Sequence, residues 1–164
     1  MSDFEKNEYI HYPPFRPSLR GCVCRDARLA AAVYTCSAEA LFGISDNIYR
    51  SLICRDCDTA LSNLFEELAQ KDLEKFRTLG ELFLALSEAD GHKIRSYPYR
   101  KRTSPPCPSS DSLVTSALWE CRRNIDCLET LMGRTEDRVV RSVFAKLLSA
   151  ENLLYHRLES ACNT

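Results

Sequence analysis

Four segments of the chain repeat leucine, valine and phenylalanine at intervals of three and four residues, and no stretch alternates apolar and polar residues. The first spacing is that of one face of an α-helix, whereas sustained alternation would indicate a strand. The pattern therefore predicts an all-α protein with helices α1, α2, α3 and α4 over residues 25–52, 58–87, 111–132 and 136–161. Thr135 is predicted to cap the start of α4.

The lengths of the connections predict how the helices are joined. The α1–α2 and α3–α4 connections are short, which favours two antiparallel hairpins. The connection between α2 and α3 is about twenty residues long and rich in proline, and at ~3.3 Å per residue it can span the whole length of a bundle. We therefore expect a four-helix bundle in up-down-down-up order, with one long crossover that joins two parallel helices.

The residues before α1 are predicted to form a separate segment. The stretch "YPPFRP" cannot be helical, because proline lacks the backbone N–H and biases the preceding residue to extended geometry. The chain is thus divided into an extended arm, residues 1–24, and a helical domain, residues 25–164.

Polar residues interrupt the apolar face of three helices near their midpoints. Asp72 and Lys75 stand where two apolar residues are expected in α2, and Glu120 and Glu151 do the same in α3 and α4. These four side chains are expected to meet in the bundle centre, where three carboxylates need a compensating cation, either a metal ion or Lys75. The alternative is that they flank the apolar faces and extend their charged groups into water. The predicted inward face of α1 contains Leu29, Val33, Cys36, Ala40, Gly43 and Asn47, and that of α3 includes Cys127.

Several stretches resemble the ferritin-like superfamily, specifically its rubrerythrin-like and spore-coat manganese-catalase-like branch. They are "DARLAAAVYTCSAEALFGISDNIY" in α1, "FEELAQKDLEKFRTLGELFLAL" in α2, the last fifty residues, and the arm "YIHYPPFRPSLRG". The resemblance implies a ferritin-like bundle. It also implies a site for two iron or manganese ions, held by a Glu on the first and third helices and a Glu-x-x-His on each of the others.

Carried over residue by residue, the resemblance implies that this site is degenerate. The first Glu becomes Ala40, with Glu39 beside it as a possible outer carboxylate, and Glu120 is kept on α3. The two Glu-x-x-His pairs become Asp72 with Lys75 and Glu151 with Leu154, so both imidazoles are missing and an ammonium group replaces one of them. The remnant pocket is therefore Ala40, Asp72, Lys75, Glu120, Glu151 and Leu154.

The expected function is a non-catalytic structural or interaction module without a cofactor, assembled as a homodimer as relatives often are. The alternative is a rubrerythrin- or manganese-catalase-like oxidoreductase, with iron or manganese in a reduced site of carboxylates alone. That site would use Asp72, Glu120, Glu151 and Glu39, and oxygen ligands would suit manganese better than zinc or copper.

Composition and charge narrow the expected binding partners, the cellular location and the state of the cysteines. A net charge of −1 gives no electrostatic case for nucleic acid or an anionic membrane. The acidic, polar N-terminus does not resemble a secretory signal, and no apolar run approaches the ~18 residues of a membrane span, so a soluble cytoplasmic protein is expected. The nine cysteines are expected to be reduced. Four of them fall at one end of the predicted bundle, which leaves zinc or a disulfide as an alternative to free thiols at Cys54, Cys57, Cys107 and Cys162.

Overall fold

The computed structural model describes residue 19, residues 22–87 and residues 109–162. Within these residues the chain forms four α-helices and no strands: α1 Ala27–Cys54, α2 Thr59–Leu86, α3 Ser110–Gly133 and α4 Arg138–Cys162. The all-α prediction is confirmed, and every helix end lies within two residues of its predicted position. The predicted arm and crossover lie largely outside the described residues.

Side chains at the helix N-termini explain where the helices begin. Asp26, Asp58 and Ser109 each accept a hydrogen bond from a backbone N–H in the first turn of the helix that follows. The predicted cap of α4 is wrong, because Asp137 accepts from the first turn, at 2.9 and 3.2 Å. Thr135 instead accepts from the backbone of Asp137. An aspartate carboxylate is favoured at this position, since it also interacts with the positive end of the helix dipole.

The helices pack as two hairpins side by side. The backbone N–H of Asp26, just before α1, donates to the carbonyl of Leu86 at the end of α2 over 3.1 Å, so α1 and α2 are antiparallel. α3 packs on α4 in the second hairpin. The hairpins meet where α1 contacts α3 and α2 contacts α4.

The interior has two apolar clusters, one towards each end of the bundle. The first is built around Phe65, with Leu61, Leu113 and Leu158, and the second around Phe144, with Leu79. The apolar repeat of α2 and the two charged residues that interrupt it are all buried: Leu61, Phe65, Leu68, Asp72, Lys75, Leu79, Leu82 and Leu86. Asp72 and Lys75 lie in sequence between the members of the two clusters. A charged layer therefore separates the two apolar clusters. No helix in the described part of the chain is long and apolar enough to cross a membrane.

Candidate functional site

Lys75 is the central cation of the charged layer. Its side chain is 7% exposed, and its Nζ lies 2.5 Å from Glu151 Oε1 on α4 and 2.8 Å from Asp72 Oδ1 on its own helix. Burial alone would lower the pKa of Lys75, but the carboxylates of Glu151 and Asp72 together raise it above its ordinary value. The lysine is therefore charged at neutral pH, and it binds two acids from two helices.

Asp72 uses both carboxylate oxygens as acceptors. Oδ1 accepts from Lys75, and Oδ2 accepts from Asn47 Nδ2 on α1 at 2.9 Å. Burial raises the pKa of Asp72, while the charge of Lys75 opposes that rise. Gly43 makes the close approach to α1 possible, because a Cβ at position 43 would lie 2.8 Å from Asp72 Cγ.

Arg50 is a second buried cation that the sequence reasoning missed. Its Nη1 and Nη2 donate to Glu120 Oε2 and Oε1 at 2.9 and 2.8 Å, the paired geometry in which guanidinium and carboxylate bind most strongly. Nη1 also donates to Asn47 Oδ1 at 2.8 Å, which links the two halves of the layer through Asn47. The expectation that a metal ion or Lys75 would supply the compensating charge was therefore incomplete. Continuing the α1 face three residues beyond Asn47 would have found Arg50.

Glu39 and Ala40 occupy the α1 part of the site. Glu39 is half-buried, and its Oε2 accepts from Arg123 on α3 at 2.5 Å. Arg123 in turn lies over the Trp119 ring, 5.1 Å from its centroid. Ala40 is 2% exposed and contributes only a methyl group to the interior.

Cys121 and Leu154 lie next to Glu151. The Cys121 thiol donates to Glu151 Oε2 at 3.3 Å, and burial together with the Glu151 charge raises the pKa of that thiol. Leu154 is buried in the first apolar cluster, and its side chain offers no donor atom at the position of the second implied imidazole.

A cavity of about 30 Å³ lies within the layer, lined by Glu39, Asp72, Glu120 and Glu151 among others. A space of this size holds about one or two water molecules. The four acids face three bases, Lys75, Arg50 and Arg123.

These residues do not fit a dimetal centre. Each of the four carboxylates is already bound by an ammonium or guanidinium group, and a cation at a ligand position repels a metal ion directly. The two positions that the resemblance assigns to imidazoles carry an ammonium group and an isobutyl group, in Lys75 and Leu154. Neither can serve as a ligand in place of histidine.

The four cysteines proposed as a zinc site, Cys54, Cys57, Cys107 and Cys162, do not form a metal site within the described residues. Cys54 is buried, Cys57 and Cys162 are exposed, and Cys107 lies outside the described residues. Burial raises the pKa of Cys54. Across the described ranges, no group of three or more His, Cys, Asp or Glu side chains is placed to hold a metal ion.

Four ion pairs among the described residues connect one hairpin to the other. Arg50–Glu120 and Arg123–Glu39 join α1 to α3. Lys75–Glu151 joins α2 to α4, and so does the more exposed pair of Arg157 and Glu67. Each of the two interfaces between the hairpins, α1–α3 and α2–α4, therefore contains two of these ion pairs.

No protein-family model, curated protein or solved structure matches this chain.

Proposed function

We propose that this chain is a ferritin-like bundle in which ion pairs have replaced the dimetal site, and that it acts as a structural or interaction module. The contacts between the described helices support the up-down-down-up order. In that order α1 adjoins α2 and α3, and α4 adjoins the same two helices, which is the set of contacts found.

The observation that carries the proposal is the pairing of every carboxylate in the layer with a protein cation. Lys75 holds Asp72 and Glu151, while Arg50 holds Glu120 through two hydrogen bonds. A metal ion would have to displace these cations and leave them buried without partners, which costs several kcal/mol for each ion. In this proposal the layer holds the helices together through ion pairs and hydrogen bonds and does not use a metal ion.

The alternative function, an iron- or manganese-dependent oxidoreductase with carboxylate ligands alone, requires the same acids to release their partners. The test is metal binding by the purified full chain, measured by elemental analysis before and after anaerobic addition of Fe(II) or Mn(II). We expect no tight stoichiometric binding. Retention of one or two ions per chain would overturn the proposal in favour of the oxidoreductase.

Restoration of the site gives a stronger test. The changes Ala40→Glu, Lys75→His and Leu154→His reinstate the ligands that the resemblance implies, and Arg50→Met frees Glu120 from its guanidinium partner. The fourfold variant is expected to bind two iron or manganese ions per chain. Adding Glu151→Gln to it removes one bridging carboxylate and serves as the matched control, which should lose that binding.

The interaction role rests on an exposed, uncharged face of α1, hereafter the α1 stripe, made of three apolar residues and one serine: Leu41, Ser45, Ile48 and Leu52. These residues follow at intervals of four, three and four, and all four are exposed. Tyr49, beside the stripe, is 60% exposed. A charge-free stripe can pair with its own copy around a twofold axis, because each side buries the apolar residues of the other. We propose that it is the homodimer interface.

Solution mass tests the interface. Light scattering after size-exclusion chromatography should give a dimer for the parent chain and a monomer for Ile48→Glu, because the new charge lies in the middle of the interface. Leu153→Glu changes an equally apolar residue on α4, 63% exposed, and should remain dimeric. A monomeric parent chain, or a dimeric Ile48→Glu variant, would contradict the assignment of this face.

A further inference from the structure

A cleft with a volume of about 450 Å³ opens between α2 and α4, beside the charged layer. Volumes of roughly 300–1,000 Å³ are typical of sites that bind small molecules. The lining residues fall on one face of each helix, so α2 and α4 form opposite walls. Near the centre of the cleft Thr78 of α2 and Ala150 of α4 have small side chains, and larger ones would fill the space.

One end of the cleft is apolar. Leu19, Val143 and Leu147 line it, and all three are half-buried and pack against the second apolar cluster. From Glu151 back to Val143 the wall of α4 extends for roughly 12 Å at 1.5 Å per residue, which accommodates an extended chain of about eight carbons. A hydrocarbon chain in this position would remove the three half-buried side chains from water, which is favourable.

Lys75 lines the same cleft and provides a hydrogen-bond donor there. Its ammonium group has three hydrogens. Glu151 Oε1 and Asp72 Oδ1 accept two of them, and the described residues supply no third acceptor. A buried N–H without an acceptor is costly, so a ligand oxygen that accepts from Lys75 Nζ is favoured at this position.

The charges that line the cleft balance, and this selects against a charged ligand. They belong to three lysines and three glutamates: Lys71, Lys75, Lys146, Glu74, Glu81 and Glu151. Lys71 and Glu74 pair with each other at 3.1 Å. Lys146 and Glu81 are exposed and solvated at the rim. Inside the cleft Lys75 and Glu151 already neutralise each other, so a ligand carboxylate or ammonium group would lose its hydration without gaining a free counter-ion.

We propose that the cleft between α2 and α4 binds an uncharged amphipathic small molecule, a linear hydrocarbon chain with one hydrogen-bond acceptor, such as a medium-chain alcohol or ether. The acceptor oxygen takes the third hydrogen of Lys75 Nζ, and the chain lies along α4 towards Val143 and Leu19. Binding of such a ligand goes beyond the structural role proposed above, and it does not depend on the α1 stripe.

Titration of the full chain with 1-octanol, followed by heteronuclear NMR of the isotope-labelled protein, tests the proposal. Saturable shifts should appear at the amides around Lys75 and Ala150, with one ligand per chain and a Kd on the order of 0.1 mM. Heptyl methyl ether has the same size and only an acceptor, so it should bind with similar affinity. Octanoate and octylammonium carry a charge on the same chain and should bind at least about tenfold more weakly.

Two variants locate the binding site. Ala150→Phe fills the centre of the cleft and Val143→Phe shortens its apolar end, so each should weaken 1-octanol binding at least about tenfold. Ala145→Phe makes the same change as Ala150→Phe at an exposed position of α4 outside the cleft, and it should leave the affinity unchanged. Circular dichroism confirms that each variant is folded.

Three results would overturn the proposal: no saturable binding of either uncharged probe, tighter binding of octanoate or octylammonium than of 1-octanol, or unchanged 1-octanol binding in both cleft variants. The comparison of probes uses the parent chain, so it decides the class of ligand even where a variant fails to fold. The metal-binding measurements described above are independent of these titrations, so failure here leaves the proposed structural role untouched.

Discussion

The carboxylate of Asp72 faces two hydrogen-bond donors, and this arrangement makes an apparently mild substitution severe. In Asp72→Asn the new amide has one acceptor oxygen for two donors, Lys75 Nζ and Asn47 Nδ2. Either rotamer of the amide places its NH2 group against a donor. An amide flip of Asn47 cannot compensate, because its side-chain oxygen already accepts a hydrogen bond from Arg50.

The magnitude follows from the bonds lost. One buried hydrogen bond disappears and one donor is left unsatisfied, which costs about 1–3 kcal/mol. Adding Asn47→Asp should restore the network, because the exchanged side chains regain every bond. The amide oxygen at position 72 accepts from Lys75, the amide NH2 donates to the new carboxylate at position 47, and that carboxylate still accepts from Arg50. We therefore expect the double variant to recover most of the loss, with a coupling energy of at least about 1 kcal/mol.

The measurement is urea unfolding followed by far-ultraviolet circular dichroism, at pH 7 and one protein concentration. The midpoint should fall for Asp72→Asn and rise again for the exchange, at an unchanged slope. Asp126→Asn is the control, since Asp126 is exposed and its ion pair among the described residues is with the equally exposed Arg122, and it should stay within about 0.5 kcal/mol of the parent. An Asp72→Asn variant as stable as the parent, with no gain from Asn47→Asp, would refute the hydrogen-bond network described here.

Three further predictions concern the same layer. Lys75→Met should lower the free energy of unfolding by about 3–5 kcal/mol, because it leaves two buried carboxylates without their cation; Lys71→Met, at the exposed pair with its neighbour on α2, should cost under about 1 kcal/mol, and equal losses would contradict burial of the charge. Gly43→Ala should destabilise by about 1–3 kcal/mol because its Cβ meets the Asp72 carboxylate, whereas Gly80→Ala, with open space around it, should stabilise by up to about 1 kcal/mol; both are measured by urea unfolding, and the same sign for both would be inconsistent with the close contact. Burial raises the pKa of Asp72 in the folded state, so the stabilisation from this shift is fully present below the ordinary pKa of Asp72 and is lost as pH rises through the folded-state pKa. The difference in free energy of unfolding between the parent and Asp72→Asn should therefore widen from pH 7 to pH 4. A narrowing of that difference would show that the pKa is shifted in the opposite direction.

The sequence predicted the helices and the inward positions of α2 because a charged residue that interrupts a regular apolar repeat is visible along one helix. Asp72, Lys75 and Glu151 were found in this way, and all three are buried. Arg50 was missed because the inward face of α1 was followed only to Asn47. Arg123 was missed because it flanks the inward face of α3 and reaches Glu39 with a long side chain.

The axial alignment of α1 with α3 could not be predicted by the same reasoning. Which residues of two helices are level with each other depends on the relative axial position of the helices. Spacing within a single helix does not contain that information. The ion pair between Glu39 and Arg123 provides it only once the two helices are placed side by side.

The four ion pairs between the hairpins have a consequence for how the two halves slide past each other. Leucine-rich faces are nearly periodic, so an axial slip of one turn, about 5.4 Å, would let many apolar contacts re-form with new partners. The same slip would separate Arg50 from Glu120 and Lys75 from Glu151, and it would strand buried charges in an apolar interior. The charged layer thus specifies a single axial register of one hairpin against the other.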